Sequence, residues 1–189
     1  MAQSGDYTYT QSGGNATITA YTGAGGVLTI PATLDTYPVI TIANSAFNNA
    51  AGHKVTGITI PNSVTLIDSY AFYGCTLMAA LTISNSVVTI GTYTFAYCSA
   101  LTSIIVGSGV NSVGVAAWAY CTALVAAHFH GNAPATWSGT DVFSNVHAGF
   151  VIYYYTGATG WTNPYKTYTT ASESPPSTST PSFFAFFWS

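Results

Sequence analysis

Charged side chains are almost absent from this 189-residue chain, which has two lysines, no arginine and five acidic residues. Charged residues make up 4% of the sequence, whereas about 25% is ordinary for a soluble domain. Binding to nucleic acid depends on lysine and arginine, so the composition excludes a nucleic-acid partner. The formal net charge of −3 is too small to steer a charged ligand.

Long apolar runs are also missing. No run approaches ~18 apolar residues without an interrupting threonine, serine, asparagine or glycine, so no membrane span is expected. The first residues lack the charged and apolar regions of a secretory leader. A low content of charge is nevertheless typical of secreted and surface β-proteins. We therefore expect an extracellular or cell-surface location, with a leader that has been removed.

A repeat of 23 residues runs through the middle of the chain and places apolar residues in fixed columns. One repeat cannot bury its own apolar side, but stacked repeats bury a continuous core. The alternating apolar residues predict short strands of a mostly β solenoid. The Phe-x-x-Cys spacing predicts a short helical turn, because residues i and i+3 lie on one side of such a turn. The two columns of this spacing are Phe72, Phe95 and Trp118, and Cys75, Cys98 and Cys121.

The repeat also carries a family resemblance. Residues 55–75 follow the pattern I-x-I-P-x-S-V-x-x-I-x-x-x-A-F-x-x-C, which resembles the BspA-like (Treponema-type) leucine-rich repeat. The resemblance covers about residues 7–165. It implies a leucine-rich-repeat solenoid over 27–127, with an N-terminal β-hairpin cap over 1–26 and a closing β unit over 128–165. It also implies a surface location, a role in adhesion or protein binding, and no catalysis.

Residues 166–189 have the composition of a Ser/Thr/Pro linker that ends in an aromatic tail. An uncharged aromatic end is sticky in water unless something covers it, and few charges are present to keep copies of the chain apart. Open solenoid ends would allow head-to-tail contacts between copies. These observations favour a homo-oligomer or filament as the first functional hypothesis. The residues expected to join the subunits are Phe183, Phe184, Phe186, Phe187 and Trp188.

The alternative hypothesis is a monomeric surface module that binds a host protein or a glycan. Tyr97 and Tyr120 form one column of the repeat, and tyrosine offers apolar area together with a polar tip. Thr59 and Thr82 occupy a column that faces outward. The tyrosine columns can equally pack into the core or between coils, and the sequence leaves both readings open.

The cysteines and histidines are the residues that suggest a disulfide or a metal. Stacked coils lie ~4.8 Å apart, which is more than the ~3.8 Å between Cβ atoms that a disulfide prefers. We therefore expect the cysteine column to form a buried ladder of core thiols. His128 and His130 alternate on a predicted strand and are weak metal candidates that need a third ligand, for which His147 is the obvious choice. We expect neither a metal nor any other cofactor.

No catalytic residue is expected either. Glycoside chemistry needs two acids that flank one bond, and the pattern brings no two acids clearly together. No Gly-x-Ser-x-Gly motif or cysteine–histidine dyad is present. Asn15 begins an Asn-Ala-Thr triplet and is a candidate N-glycosylation site. The five acidic residues of the chain are Asp6, Asp35, Asp68, Asp141 and Glu173.

Overall fold

The computed structural model describes residues 1–48, 54–163 and 165–176, and over these residues the chain winds into a β-solenoid. Each coil contributes one strand to each of two sheets and closes through a side made of turns. The solenoid predicted from the repeat is confirmed.

The strands are short because each coil must turn three times. They are β1 (Ala2–Ser4), β2 (Tyr7–Ser12), β3 (Asn15–Tyr21), β4 (Gly25–Thr29), β5 (Thr33–Leu34), β6 (Tyr37–Ile42), β7 (Lys54–Thr59), β8 (Leu66–Ile67), β9 (Ala80–Ile83), β10 (Thr89–Ile90), β11 (Ser103–Val106), β12 (Ser112–Val113), β13 (Ala126–Phe129), β14 (Thr136–Trp137), β15 (Val151–Tyr155) and β16 (Thr169–Glu173).

The two sheets differ in the length of their strands. The first runs β1-β2-β3-β6-β8-β10-β12-β14, with β5 paired to β6, and β1 to β3 are antiparallel. The second runs β4-β7-β9-β11-β13-β15-β16 and is parallel throughout. Its register reproduces the columns of the sequence, since Leu81 pairs with both Ile58 and Ile104.

The third side of the coil does not contain the short helical turn that the Phe-x-x-Cys spacing predicted. No helix occurs in the described residues. Over residues 70–75, alternate N–H groups follow two routes. Those of Ala71 and Tyr73 bond to the carbonyl three residues earlier, whereas those of Tyr70 and Phe72 bond to Thr92 and to Thr94 of the next coil. In this turn, therefore, every second N–H group makes a local hydrogen bond like that of a tight helical turn, and the N–H groups between them bond to the next coil.

Left-handed backbone conformations make this alternation possible. φ is 58° at Tyr70 and 53° at Tyr93, and it is 63° at Tyr97 and 62° at Tyr120. Non-glycine residues rarely adopt positive φ, and at an aromatic residue it is uncommon enough to need a structural reason. At Tyr70, Tyr93, Tyr97 and Tyr120 the backbone N–H bonds to the carbonyl of a residue in the next coil, so the left-handed conformation coincides with the bonds that join coils.

A stack of aromatic rings runs along the inside of the turn side. Phe72 and Phe95 are both buried, and their ring centroids lie 5.2 Å apart with 3° between the planes. Trp118 follows at 5.7 Å from Phe95. Tyr21 of the N-terminal hairpin covers one end of the stack by packing on Phe47. At the other end the stack passes through Phe143, which meets the ring of Tyr168.

The predicted linker begins later than expected. Thr169–Glu173 forms β16, which pairs in parallel with β15 over its whole length, so residues 166–173 belong to the folded unit. The side chain of Asn163 accepts the N–H of Thr170, and the Thr162 carbonyl accepts its hydroxyl proton. By pairing with the edge of the sheet, β16 gains backbone hydrogen bonds, although its own side chains bury little apolar area.

Candidate functional site

The cysteine column lies inside the solenoid. Cys75, Cys98 and Cys121 are free thiols and all three are buried. Each sulfur donates to the carbonyl of the phenylalanine one coil earlier; for Cys98 the acceptor is Phe72, at 3.4 Å. Burial raises the pKa of the Cys75 thiol to about 12. Thiols held neutral in this way are poor nucleophiles and poor metal ligands.

The tyrosine columns lie on the outside of the turn side. Two pairs stack face to face, Tyr70 on Tyr93 at 5.4 Å and Tyr97 on Tyr120 at 4.5 Å. Tyr73 joins the pairs, with ring centroids 5.7 Å from Tyr70 and 5.2 Å from Tyr97. We call these five residues the tyrosine array. Tyr70, Tyr97 and Tyr120 are 38–40% exposed, so much of the array faces solvent.

The outward threonines lie on a different face. Thr59 and Thr82 are exposed neighbours in the seven-stranded sheet. Their column continues through Ile105 and His128 to Tyr153. The face therefore changes along the solenoid, from small hydroxyl residues to aromatic rings.

The histidines lie where this face becomes aromatic. His128 stacks on Tyr153 with centroids 5.0 Å apart, and His130 stacks on Tyr155 at 4.3 Å. Nδ1 of His128 lies 2.9 and 3.1 Å from the two carboxylate oxygens of Glu173. Because a carboxylate only accepts hydrogen bonds, Nδ1 carries the proton in this pair.

A cavity of about 400 Å³ opens beside these residues. We call it the His–Glu cleft. Burial lowers the pKa of the His130 imidazole; Glu173 opposes the shift and His128 adds to it. Burial also raises the pKa of the Tyr155 hydroxyl, with a smaller contribution from Glu173. The cleft is lined by Ser103, Ile105, His128, His130, Tyr155, Glu173, Ser174 and Pro176.

The two metal candidates, His128 and His130, both line the cleft. Within the described ranges, no three histidine, cysteine or acidic side chains come together in a way that could hold an ion. His147, the expected third ligand, instead uses Nδ1 to accept the N–H of Gly149.

Two other predicted residues can be placed. Asn15 begins β3, and its side-chain amide lies 3.3 Å from the Gly13 carbonyl oxygen in the hairpin turn. A carboxylate oxygen of Asp68 accepts a hydrogen bond from the backbone N–H of Ser69. The predicted self-assembly residues 183–188 lie outside the described residues.

Glu173 is the functional candidate that sequence reasoning missed. The composition around it predicts a linker, and it lies 45 residues from its partner His128. One signal was available: Thr-Thr-Ala-Ser-Glu begins with β-branched residues that favour a strand. Nothing in the sequence indicated which strand it would join.

Residues 29–150, more than half of the chain, match the family described as BspA type leucine rich repeat region. The match contains six copies of the repeat. Among solved structures, a leucine-rich repeat protein of T. pallidum has a TM-score of 0.70 at 23% identity, covering 80% of this chain and 70% of that one. A leucine-rich cell surface protein from Faecalibacterium prausnitzii A2-165 has a TM-score of 0.56 at 24% identity, covering 92% and 54%. A leucine-rich repeat protein from Bacteroides ovatus ATCC 8483 has a TM-score of 0.54 at 26% identity, covering 78% and 45%.

The chain thus spans about half the length of two of these structures. No curated protein sequence matches it significantly. In the described part of the chain, no helix has the length and apolar character needed to cross a membrane.

Proposed function

The chain belongs to the BspA-type leucine-rich repeat family, and from that premise we propose that it is a non-catalytic binding protein of the bacterial cell surface. The tyrosine array is its contact surface for a protein partner. The family match and the likeness to a cell surface protein support the location. The observation that carries the binding role is the continuous group of five tyrosine rings on the outside of the turn side.

The array has the composition of a protein-binding surface. Tyrosine is enriched at protein interfaces and at their energetic centres, because it offers large apolar area, a polar tip and few rotatable bonds. Stacking holds each ring against a neighbour, and the backbone beneath is bonded from coil to coil. Rings that are already ordered lose little conformational entropy on binding.

Binding of the full chain to immobilised extracellular matrix proteins tests this role. Tyr97→Asn and Tyr120→Asn remove two adjacent rings, and Asn145 already occupies the equivalent left-handed position with φ 55°. We expect the double variant to weaken binding by roughly a hundredfold, as the loss of two interface tyrosines commonly does. Thr59→Ala with Thr82→Ala is the matched control on the other face. Equal loss in both variants, or loss only in the threonine variant, would contradict the assignment.

A fibre joined by the aromatic tail is the second candidate function. It is supported by the five aromatic residues near the C-terminus and by the 4% of charged residues. The aromatic stack of the core meets the ring of Tyr21 at one end and that of Tyr168 at the other. A head-to-tail joint would therefore form through the tail rather than through exposed core.

Negative-stain electron microscopy distinguishes the two candidates. The full chain is compared with a chain shortened to end at Pro176, which keeps β16 in place. Filaments from the full chain alone are expected for a fibre. Single short rods from both chains would reject the fibre and leave the binding role.

A further inference from the structure

We propose that the His–Glu cleft is a binding site for a neutral saccharide, separate from the tyrosine array. It lies on the outer face of the seven-stranded sheet, where β11, β13, β15 and β16 meet. Its volume of about 400 Å³ is within the range of small-ligand pockets. The residues that carry the proposal are Ile105, His128, His130, Tyr155 and Glu173.

Glu173 supplies the hydrogen-bond acceptor that sugar hydroxyls need. Its carboxylate accepts from His128, which holds it in one position. A carboxylate has about four lone-pair directions, so some remain for ligand hydroxyls. The side chains of His128 and Glu173 are 29% and 27% exposed, so both are within reach of a ligand in the cleft. Ser103 and Tyr155 add hydroxyl groups to the lining.

The rings and Ile105 supply the apolar part of the site. A pyranose presents C–H groups on its faces, and such groups pack well on aromatic rings and aliphatic side chains. The two imidazole–tyrosine stacks have 11° and 13° between their planes, so the rings support one another in an ordered arrangement. The lowered pKa of His130 keeps its ring uncharged at neutral pH, which suits contact with C–H groups.

The charges around the cleft argue against other ligand classes. The chain has no arginine, and neither lysine lines the cleft: Lys54 begins β7, and Lys166 lies over the Tyr165 ring. An anionic ligand would therefore meet Glu173 with no lysine or arginine to balance it. A cationic amine is the main competitor, but the carboxylate already accepts a hydrogen bond from His128. Several hydroxyl groups and one engaged carboxylate fit a neutral polyol better.

The site is specific to this end of the solenoid. In the preceding coils the same column holds Thr59 and Thr82, which are too small to form walls. Among the strands of the described residues, β13 and β15 are the ones that place rings there, and β16 is the one that adds an acid. The cleft is thus built from four strands rather than repeated along the surface.

Saturation-transfer NMR and calorimetry on the full chain test the proposal. The probes are glucose, galactose, mannose, N-acetylglucosamine, lactose and cellobiose, with N-acetylneuraminic acid and putrescine as charged comparators. We expect at least one neutral sugar to bind. His130→Ala and Glu173→Gln should each weaken it by roughly tenfold or more, since each removes a ring contact or a charge-assisted bond. Tyr97→Asn is the control and should leave the affinity within about twofold.

A further variant is needed because changing Glu173 also removes a side chain that anchors β16. Loss of sugar binding in Glu173→Gln could then reflect misfolding of this strand. Ser103→Tyr places a ring in the cleft while leaving His128 and Glu173 unchanged, and it should abolish sugar binding. The proposal is overturned if no neutral sugar binds, if only putrescine binds, or if these variants leave the affinity unaltered. Matrix-protein binding is measured in parallel. Since Glu173→Gln should not change it, failure of the cleft and failure of the array are distinguishable.

Discussion

Tyr97 and Tyr120 lie one coil apart with parallel rings, 4.5 Å between centroids and 6° between planes, and both have left-handed backbones. Positive φ costs an L-residue about 1–2 kcal/mol relative to the right-handed region. The coil accepts this cost because the conformation directs the Tyr97 N–H to the Ala119 carbonyl of the next coil, at 2.9 Å. The same strained position thus joins the coils and presents the ring to solvent.

Substitution of Tyr120 should separate the backbone from the ring. Tyr120→Asn keeps a residue that tolerates positive φ, whereas Tyr120→Val introduces a β-branched residue that does not. We expect the valine variant to be about 1–2 kcal/mol less stable than the asparagine variant. Urea unfolding monitored by tyrosine and tryptophan fluorescence measures the difference. Equal stabilities would mean that the left-handed position does not constrain the residue type.

Two corner glycines allow close contact between coils. A Cβ on Gly91 would lie 2.4 Å from the Ser69 nitrogen, and one on Gly114 would lie 2.5 Å from the Gly91 carbonyl carbon. Both contacts involve backbone, which cannot rotate away. We expect Gly91→Ala and Gly114→Ala each to destabilise the fold by about 2–3 kcal/mol, as overpacking does.

Gly57 provides the matched control for this prediction. A Cβ at this position would meet the methyl groups of Val27 at 3.7 Å and the Ala80 carbonyl oxygen at 3.9 Å, which are ordinary van der Waals contacts. Gly57→Ala should therefore change stability by less than about 0.5 kcal/mol. If it cost as much as Gly91→Ala in thermal unfolding, the loss would reflect glycine removal in general rather than the spacing between coils.

The repeat predicted the core because each column repeats one environment. Phe72 and Phe95 were assigned to the interior from spacing alone, and a buried ring in one coil fixes where the next must lie. The turn side was predicted wrongly because an i to i+3 spacing fits a helical turn and the observed turn equally well. The sequence does not predict the positive φ at Tyr97, because this conformation goes with hydrogen bonds to another coil.

The His–Glu cleft could be predicted only in part. The outward position of His128 follows from its column, but its partner Glu173 follows a loop and belongs to a strand outside the repeat. Contacts between residues so far apart depend on how the closing strands are placed. Periodicity carries no information about that placement.

The buried thiols should resist modification in the folded protein. Cys75, Cys98 and Cys121 are inside the core, and burial raises the pKa of Cys98 well above its ordinary value, as it does for Cys75. Only the thiolate reacts quickly with alkylating reagents. We expect no labelling by iodoacetamide at mildly alkaline pH, and labelling of all three thiols in concentrated guanidinium chloride. Rapid labelling of the folded chain, detected by mass spectrometry, would contradict the buried ladder.

The pH dependence of stability should report on His130. Its folded-state pKa is lowered by burial, so between that value and the unfolded value of about 6.5 the unfolded chain binds a proton that the folded chain does not. The contribution of His130 to the free energy of unfolding is therefore fully present above about pH 6.5, and it decreases as the pH drops toward the folded-state pKa. Glu173 acts in the opposite direction on the same ring, so the net loss is expected to be small.

Comparison of variants isolates this contribution. His130→Asn has no titrating group at the position, so its unfolding free energy should fall less than that of the unaltered chain as the pH is lowered through the same window. Thr82→Ala, on the same face, changes no titrating group and should follow the unaltered chain. Urea unfolding at several pH values measures both differences. A steeper loss in His130→Asn would mean that the protonated imidazole stabilises the fold and that contact with Glu173 outweighs burial.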